Sequence, residues 1–370
     1  MEKVILRKAE YDNSLRPIIF EILEELAGEK IGAGTRVLIK PNLLAPARPE
    51  KAMLTHPLIV RASVEYVLEK GGLPLVADSP AMGSFGRVLE ESGISEALKG
   101  LDVECREFKR SVLVDLGAPF NRIELAEDVM NADLVLNLPK LKTHTQMLLT
   151  LGIKNLFGCI VGLRKPEWHF RTGVDRKMFA SLLAGIYSVI GPAVTLLDGI
   201  LAMEGQGPGK SGVPRKLGMV IAGADALAVD MTVCRMLDIA PDSLLTNRMA
   251  VEMGLARGEI LVDGDFQLIT DFRLPEVTPL VFGPRRLHGF MRRHLVQRPR
   301  SDDSLCKLCG ECRKYCPVKA VTVEKKRLTF DYQACIRCYC CIEVCPHGAL
   351  RAVETGYGRI ARKLLRSRDR

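Results

Sequence analysis

Nine of the twelve cysteines in this 370-residue chain lie between residues 306 and 345, and their spacing repeats. Two runs of the form CxxCxxCxxxCP follow each other, and each cysteine of the second run lies 29 residues after its counterpart in the first. The runs are Cys306, Cys309, Cys312 and Cys316, then Cys335, Cys338, Cys341 and Cys345. Thiolates at this spacing favour iron–sulfur cubanes, because three of them wrap one face of a cluster while a proline-marked fourth is carried away.

The fourth cysteine of each run is predicted to reach the cluster of the other run. The first [4Fe–4S] cluster is therefore assigned Cys306, Cys309, Cys312 and Cys345, and the second Cys335, Cys338, Cys341 and Cys316. Structural zinc is the alternative, but zinc favours two separated CxxC pairs. Two clusters in one small module predict an electron relay. Residues 301–354 thereby resemble the bacterial two-cluster ferredoxins.

The remaining cysteines are not assigned to a cluster. Cys340 lies between two predicted ligands on a tight loop, so we expect it to point outward as a spare thiol. Cys105, Cys159 and Cys234 stand alone, and each is predicted to be a small buried hydrophobe.

Residues 1–280 alternate between predicted strands and helices. Candidate strands are 37–44, 73–78, 133–139, 194–198 and 217–222, and candidate helices are 15–27, 58–70, 86–99, 176–190 and 226–237. Several of the strands are continuous apolar runs, as expected of strands covered on both faces. The pattern predicts an α/β, Rossmann-like domain with a mostly parallel sheet, followed by a small α+β ferredoxin-like domain. The predicted divisions are 1–280, a basic linker at 281–300, 301–354 and a basic tail at 355–370.

Polar side chains gather where the predicted strands end. They are Lys40, Asn42, Asp78, Lys140, Lys142, His144 and Asp198. Ligands of open α/β sheets bind beyond the carboxyl ends of the strands, so these groups are predicted to surround one crevice. The alternative is that strand ends are simply polar loops.

A dense group of cations with no intervening acid follows the third strand. It comprises Lys140, Lys142, Lys154, Arg164 and Lys165. This density suits an anionic substrate or cofactor, with a solvated charged face as the alternative. The full set predicted to bind substrate or cofactor is Lys40, Asn42, Asp78, Lys140, Lys142, Lys154, Asn155, Asp198 and Glu204. His144 and His169 are predicted proton donors, although a lone histidine is more often structural.

Two glycine-rich stretches resemble nucleotide loops but fail the test of context. In the stretch 203–212, Glu204 occupies the position that should open a phosphate loop, and Pro214 follows too soon for a helix. We expect a flexible, anion-tolerant loop there. The glycines at 32 and 34 precede a strand and so do not form a dinucleotide fingerprint. No flavin or nicotinamide signature is present, so any further cofactor is unidentified.

Four separated motifs resemble the domain-of-unknown-function 362 family over residues 30–280. They are IKPNLL (39–44), PKLKTHTQMLLTLGIKNLFG (139–158), LLDGILAMEGQGP (196–208) and GADALAVDMTVCRMLDI (223–239). The family often carries a C-terminal two-cluster ferredoxin module. It is distantly similar to the N-terminal domain of nickel-dependent lactate racemase, but the nickel is not extended to this chain, because fold kinship does not transmit chemistry.

Charge and composition limit the remaining classes. Apolar residues make up 47% and charged residues 26%, and no apolar run reaches the roughly 20 residues that cross a bilayer. The charged N-terminus predicts no signal peptide and a cytoplasmic location. The net charge of +9 comes from segments 283–300 and 356–370. We expect these segments to dock between domains or on an acidic protein. Peripheral membrane contact is not favoured, and nucleic acid binding is not predicted.

These observations predict an iron–sulfur protein that passes electrons to or from an anionic substrate or unidentified cofactor in the basic crevice, as a ferredoxin-linked oxidoreductase. Its redox partner would be a ferredoxin or reductase. One alternative is a non-catalytic electron-transfer subunit or adaptor for a partner enzyme, and a weaker one is an enzyme with purely structural clusters. An enclosed, lysine-lined crevice favours the first hypothesis, and a filled, flat one favours the adaptor.

Overall fold

The structure is a computed structural model that describes residues 1–162, 164–172, 175–275, 294 and 296–357. The predicted basic linker at 281–300 and basic tail at 355–370 lie mostly outside the described residues. No helix in the described ranges is long and apolar enough to cross a membrane.

The strands and helices are numbered in chain order. The strands are β1 (Glu2–Lys8), β2 (Arg36–Pro41), β3 (Leu73–Asp78), β4 (Glu104–Glu107), β5 (Ser111–Asp115), β6 (Arg122–Ala126), β7 (Leu134–Leu138), β8 (Lys140–His144), β9 (Leu148–Thr150), β10 (Val194–Gly205), β11 (Gly212–Gly223), β12 (Ile260–Gly264), β13 (Arg298–Ser301), β14 (Val321–Glu324), β15 (Arg327–Phe330) and β16 (Leu350–Val353). The helices are α1 (Leu15–Ala27), α2 (Pro57–Glu69), α3 (Phe85–Glu91), α4 (Ile94–Ala97), α5 (Glu127–Asn131), α6 (Gly152–Asn155), α7 (Arg164–Thr172), α8 (Arg176–Ile190), α9 (Ala226–Met236), α10 (Leu245–Glu252), α11 (Glu311–Lys314) and α12 (Cys340–Glu343). Short 3₁₀ helices span Pro49–Lys51, Leu156–Cys159 and Pro241–Ser243.

One ten-stranded sheet forms the centre of the N-terminal part, in the order β12-β1-β11-β10-β7-β2-β3-β4, with β8 and β9 branching from β10. The run from β10 through β7, β2 and β3 to β4 is parallel, whereas β11 is antiparallel to both of its neighbours. Buried apolar clusters pack against the strands and helices on the two faces of this sheet. The predicted α/β class with a mostly parallel sheet is confirmed.

Most predicted elements of the N-terminal part appear close to their expected bounds, and the exceptions have local causes. The single helix predicted over 86–99 is wrong: it is two helices, because Gly93 between α3 and α4 has a φ of 77° that a continuing helix does not allow. Strands β10 and β11 are longer than predicted because they form an extended hairpin with a register shift between Gly199 and Leu201.

The C-terminal part is a small ferredoxin-like unit of two antiparallel strand pairs, β13 with β16 and β14 with β15. Each cysteine run contains one short helix, α11 in the first run and α12 in the second. The interior of this unit is rich in cysteine, with Val321, Leu328 and Leu350 around the sulfurs. Val344 is buried in the main core of the N-terminal part, and Tyr315 packs against that core, so the two parts are docked together.

Candidate functional site

A cavity of about 100 Å³ lies where the two parts meet, and it is partly open to solvent. The sheet side supplies four lysines together with two histidines and two asparagines. These residues are Lys40, Asn42, Lys142, His144, Lys154, Asn155, Lys165 and His169. The ferredoxin-like side supplies Tyr315, Cys340, Glu343 and Val344. The wall is therefore basic on one side and formed by cysteine-run residues on the other.

The floor of the cavity holds a buried ion pair at the ends of β2 and β3. The Lys40 Nζ lies 3.0 Å from Asp78 Oδ1, and both side chains are almost fully buried. The Asp78 carboxylate also accepts hydrogen bonds from the backbone N–H groups of Leu43 and Ser79. Gly158 passes directly over the pair, where an added Cβ would lie 2.4 Å from Asp78 Oδ1 and 2.6 Å from Lys40 Nζ. The ion pair thus requires glycine at position 158.

We expect Gly158→Ala to lower the free energy of unfolding by about 3 kcal/mol, because the methyl group would push apart a buried ion pair. The matched control is Gly86→Ala in α3, where an added Cβ meets no atom within 4 Å. The control should be neutral or slightly stabilising, since alanine favours a helix. Urea unfolding of both variants measures the difference, and equal stabilities would show that the site tolerates the methyl group.

A chain of side-chain amides connects Lys142 to the sheet. The Lys142 Nζ donates to Asn42 Oδ1 and to the Met53 carbonyl, each at 2.7 Å. The Asn42 amide donates to Asn155, whose own amide donates to Asn137. Burial, followed by repulsion from Lys154, lowers the pKa of Lys142 to about 7. Lys142 is therefore held rigidly in the wall, with a charge that changes near neutral pH.

Lys154 and Lys165 supply the other two cations of the wall. Lys165 donates to the Ser79 carbonyl, and burial lowers its pKa to about 8. Burial also lowers the pKa of Lys154. Within the described ranges Lys154 makes no hydrogen bond and no ion pair closer than 4 Å. The negative charge of Glu343 attracts it from a longer distance. Lys154 is thus the cation of the wall that is best placed to meet an anion.

His144 connects the two parts of the chain. Its Nδ1 accepts hydrogen bonds from the backbone N–H groups of Gln146 and Met147, so the ring proton is on Nε2. The Nε2 lies 3.1 Å from Glu343 Oε1 of the ferredoxin-like part. Burial, then repulsion from Lys154, lowers the pKa of His144 to about 4. His144 is therefore a neutral group that faces Glu343.

His169 is the cavity histidine that has no ion-pair contact with the described residues, whereas His144 lies 3.1 Å from Glu343. It is buried between Phe157 and Phe179, at ring distances of 5.4 and 4.4 Å. Its Nδ1 has no hydrogen-bond partner among the described residues. Burial lowers the pKa of His169 to about 4, so the ring is neutral at pH 7. Of the two predicted proton donors, His169 has the freer ring.

The structure does not bring three of the predicted binding residues to the cavity wall. Lys140 and Asp198 form a separate buried pair, with Lys140 Nζ 2.8 Å from Asp198 Oδ2, and Tyr11 donates to the same carboxylate at 2.6 Å. Glu204 holds Arg273 and Arg215 at the far end of β10. The prediction that these three residues bind substrate or cofactor in the crevice is wrong, because nearer partners occupy their charged groups.

The four cysteines assigned to the first cluster come together around a second, smaller cavity. They are Cys306, Cys309, Cys312 and Cys345, so both runs contribute. Four thiolates around one cavity are the ligand set that a [4Fe–4S] cluster takes.

The cysteines assigned to the second cluster also form one neighbourhood. Burial raises the pKa of the Cys341 thiol, and the nearby Cys338, Cys335, Cys312 and Cys316 raise it further. Burial, and then Cys338 and Cys335, likewise raise the pKa of Cys316. Iron binding removes thiol protons and would offset this cost. The prediction that Cys340 points outward is wrong. Cys340 is buried and lines the large cavity, because the N-terminal part covers this loop. Of the lone cysteines, Cys159 and Cys234 are buried as predicted, but Cys105 is only half-buried.

Several wall residues were not predicted from the sequence. Tyr315, Cys340 and Glu343 reach the cavity only because the cysteine runs dock against the sheet. Pro208 also lines the cavity, and Gly209 beside it lies against the Glu343 backbone. The glycine-rich loop thus contributes to the site through packing. Lys165 also lines the cavity but was not among the predicted binding residues. The sequence signal that could have identified it was its membership of the dense group of cations that follows the third predicted strand.

Comparison with known proteins gives two family matches. Residues 37–235 match the domain of unknown function DUF362, and residues 298–346 match a 4Fe-4S dicluster domain. A thylakoid-associated protein of Synechocystis sp. is 37% identical over 303 residues, which cover 79% of this chain and 94% of that relative. The lactate racemase apoprotein of Thermoanaerobacterium thermosaccharolyticum aligns with a TM-score of 0.40 at 13% identity, over 60% of this chain and 54% of that structure. The chain thus spans about half the length of the racemase.

Proposed function

The chain belongs to the DUF362 family and carries two [4Fe–4S] clusters in a ferredoxin-type domain. Such a domain supports electron transfer, and we propose that this protein exchanges electrons with an anionic molecule bound in the basic cavity. The observation that carries the proposal is the composition of the cavity wall. Tyr315 and Cys340 each lie one residue from a cysteine assigned to the second cluster, and both line the space that Lys142 and Lys154 also line.

The lysines give the cavity its preference for anions. Among the described residues, the cavity is lined by four lysines and by two carboxylates, and Asp78 is already paired with Lys40. A ligand with carboxylate or phosphate oxygens would complete the hydrogen bonding of Lys154 and add to that of Lys142 and Lys165. Such charge-assisted hydrogen bonds are roughly twice as strong as neutral ones.

Proton transfer is assigned to His169, whose ring is neutral at pH 7 and accepts a proton first; it donates one only when the charge of a bound anion raises its pKa. His144 has the supporting role of holding Glu343 and the cysteine-run loop against the sheet. When bound, the clusters supply single electrons. The protein residues bind the anion, exclude water from one side of it and hold a proton within reach.

The cavity also bears on the adaptor hypothesis. An adaptor needs no internal space, whereas this chain keeps a lysine-lined cavity between its two parts. The enzyme hypothesis is therefore the one that we propose, with a ferredoxin or reductase as the external partner and a cytoplasmic location. Because the Synechocystis relative is named for thylakoid association, cell fractionation is the test of the location.

The function is tested by isolating the protein anaerobically and identifying every bound small molecule by mass spectrometry. We expect an anionic molecule to co-purify. Adding it to protein whose clusters have been reduced should restore their visible absorbance as the molecule is converted. If nothing co-purifies and the reduced clusters stay reduced until a protein acceptor is added, the chain is a carrier and the proposed function is wrong.

Anion binding is expected to weaken as pH rises. The pKa of Lys142 is lowered to about 7 and that of Lys165 to about 8, chiefly by burial. Both lysines are charged below these values and lose their protons above them. The affinity for sulfate, whose own charge is constant in this range, should fall about tenfold or more between pH 6 and pH 9. Calorimetric titration measures this, and a flat profile would contradict it.

A further inference from the structure

The two cysteine runs form loops with the same backbone path but different side chains. Leu308 and Arg337 are 29 residues apart in equivalent positions, with φ values of 52° and 61°. Gly310 and Tyr339 are likewise equivalent, with φ values of 83° and 59°. The loops are therefore structural counterparts, and their side chains can be compared one by one.

The surroundings of the two loops differ sharply. In the first loop Cys309 is exposed, and Leu308 is 38% exposed. In the second loop every residue from Ile336 to Ile342 is buried, and Arg337 is only 4% exposed. The second loop meets the N-terminal part at Cys340, which lines the large cavity, and just after the loop Glu343 lies 3.1 Å from His144. The first cluster thus faces solvent, and the second faces the cavity.

Arg337 is a buried cation without a carboxylate partner among the described residues. Its guanidinium donates to the Cys335 carbonyl at 3.2 Å and to the Tyr332 carbonyl at 3.4 Å, and it lies 5.4 Å from the centre of the Tyr332 ring. Its Nε is buried and has no hydrogen-bond partner within the described ranges. An uncompensated buried charge costs several kcal/mol. The cluster held by Cys335 is the negative charge that would offset it.

We propose that Arg337 makes the cavity-side cluster the preferred site of the transferred electron. Reduction adds one negative charge to a cluster, and burial alone disfavours that charge. The fixed positive charge of Arg337, which donates a hydrogen bond to the backbone of Cys335, favours the added negative charge. Nearby charges and hydrogen bonds are known determinants of cluster potential. At the first cluster the equivalent residue is the uncharged, exposed Leu308. An electron that arrives at the exposed cluster therefore moves toward the cavity.

The proposal rests on the proposed function only for the destination of the electron, and it is tested without any ligand. The midpoint potentials of both clusters are measured by redox titration monitored by electron paramagnetic resonance, on anaerobically isolated full-length protein. In Arg337→Gln we expect the midpoint potential of the second cluster to fall. The ratio of electron occupancy between the two clusters should then shift about tenfold or more toward the first cluster. Arg337→Lys should retain most of the wild-type difference.

Leu308→Arg provides the gain-of-charge variant and leaves the second loop intact. It should raise the midpoint potential of the first cluster and so reduce the difference in midpoint potential between the two clusters. An Arg337→Gln protein with about eight irons and unchanged midpoints would overturn the proposal. If that variant does not retain its iron, an unchanged difference in Leu308→Arg overturns it instead. Neither result bears on anion binding in the cavity, so failure here is distinguishable from failure of the proposed function.

Discussion

Removing Cys345 is expected to abolish the cluster of the first cysteine run and to leave that of the second. Cys345 lines the cavity formed by Cys306, Cys309 and Cys312, although it belongs to the other run. The wild-type protein should contain about eight irons per chain, and Cys345→Ala about four. Iron analysis of anaerobically isolated protein gives the count.

Double variants show which cysteines share a cluster. Cys345→Ala combined with Cys306→Ala should still contain about four irons, because both residues serve the same cluster. Cys345→Ala combined with Cys341→Ala should contain almost none. Ligation within each run would reverse these two results. Cys340→Ala is the control and should retain about eight irons, since Cys340 faces the large cavity.

The second large effect is expected at Lys154. It lines the cavity and makes no hydrogen bond or close ion pair in the part of the chain that the structure describes, so its removal breaks neither kind of contact. Lys154→Gln should therefore fold normally and weaken sulfate binding at pH 6 by about tenfold or more, the loss expected for one charge-assisted hydrogen bond.

The matched control for this variant is Lys177→Gln. Lys177 is an exposed lysine of α8 and does not line the cavity. Both variants lose one positive charge, so a general electrostatic effect would weaken sulfate binding equally in the two. A loss confined to Lys154→Gln places the anion in the cavity, and equal losses would contradict that position.

The spacing of residues along the chain was sufficient to predict most of the fold, and it was the basis for every predicted cluster ligand. The strands at β2, β3 and β7 are continuous apolar runs, and a parallel sheet brings their carboxyl ends to one edge. This rule correctly brought together Lys40 and Asn42 at the end of β2 with Asp78 at the end of β3, and all three line one cavity. Such local patterns are visible in a single sequence.

Contacts between distant segments were not predictable in the same way. Lys140 and Lys142 are two residues apart on β8, but Lys140 is paired with Asp198 and Tyr11, whereas Lys142 faces the cavity. The partner at Tyr11 is 129 residues away in sequence. The docking of Glu343 on His144, which closes the cavity, likewise depends on the packing of two separate units.

The central claim is that an anion in the cavity lies beside the second cluster. Pulsed electron–nuclear double resonance on the reduced protein with bound inorganic phosphate tests it most directly, because ³¹P couples magnetically to a paramagnetic cluster only at short range. We predict a ³¹P coupling in the wild-type protein and in Lys177→Gln, and its loss in Lys154→Gln. Phosphate that binds to the wild-type protein without any coupling to a cluster would contradict the claim.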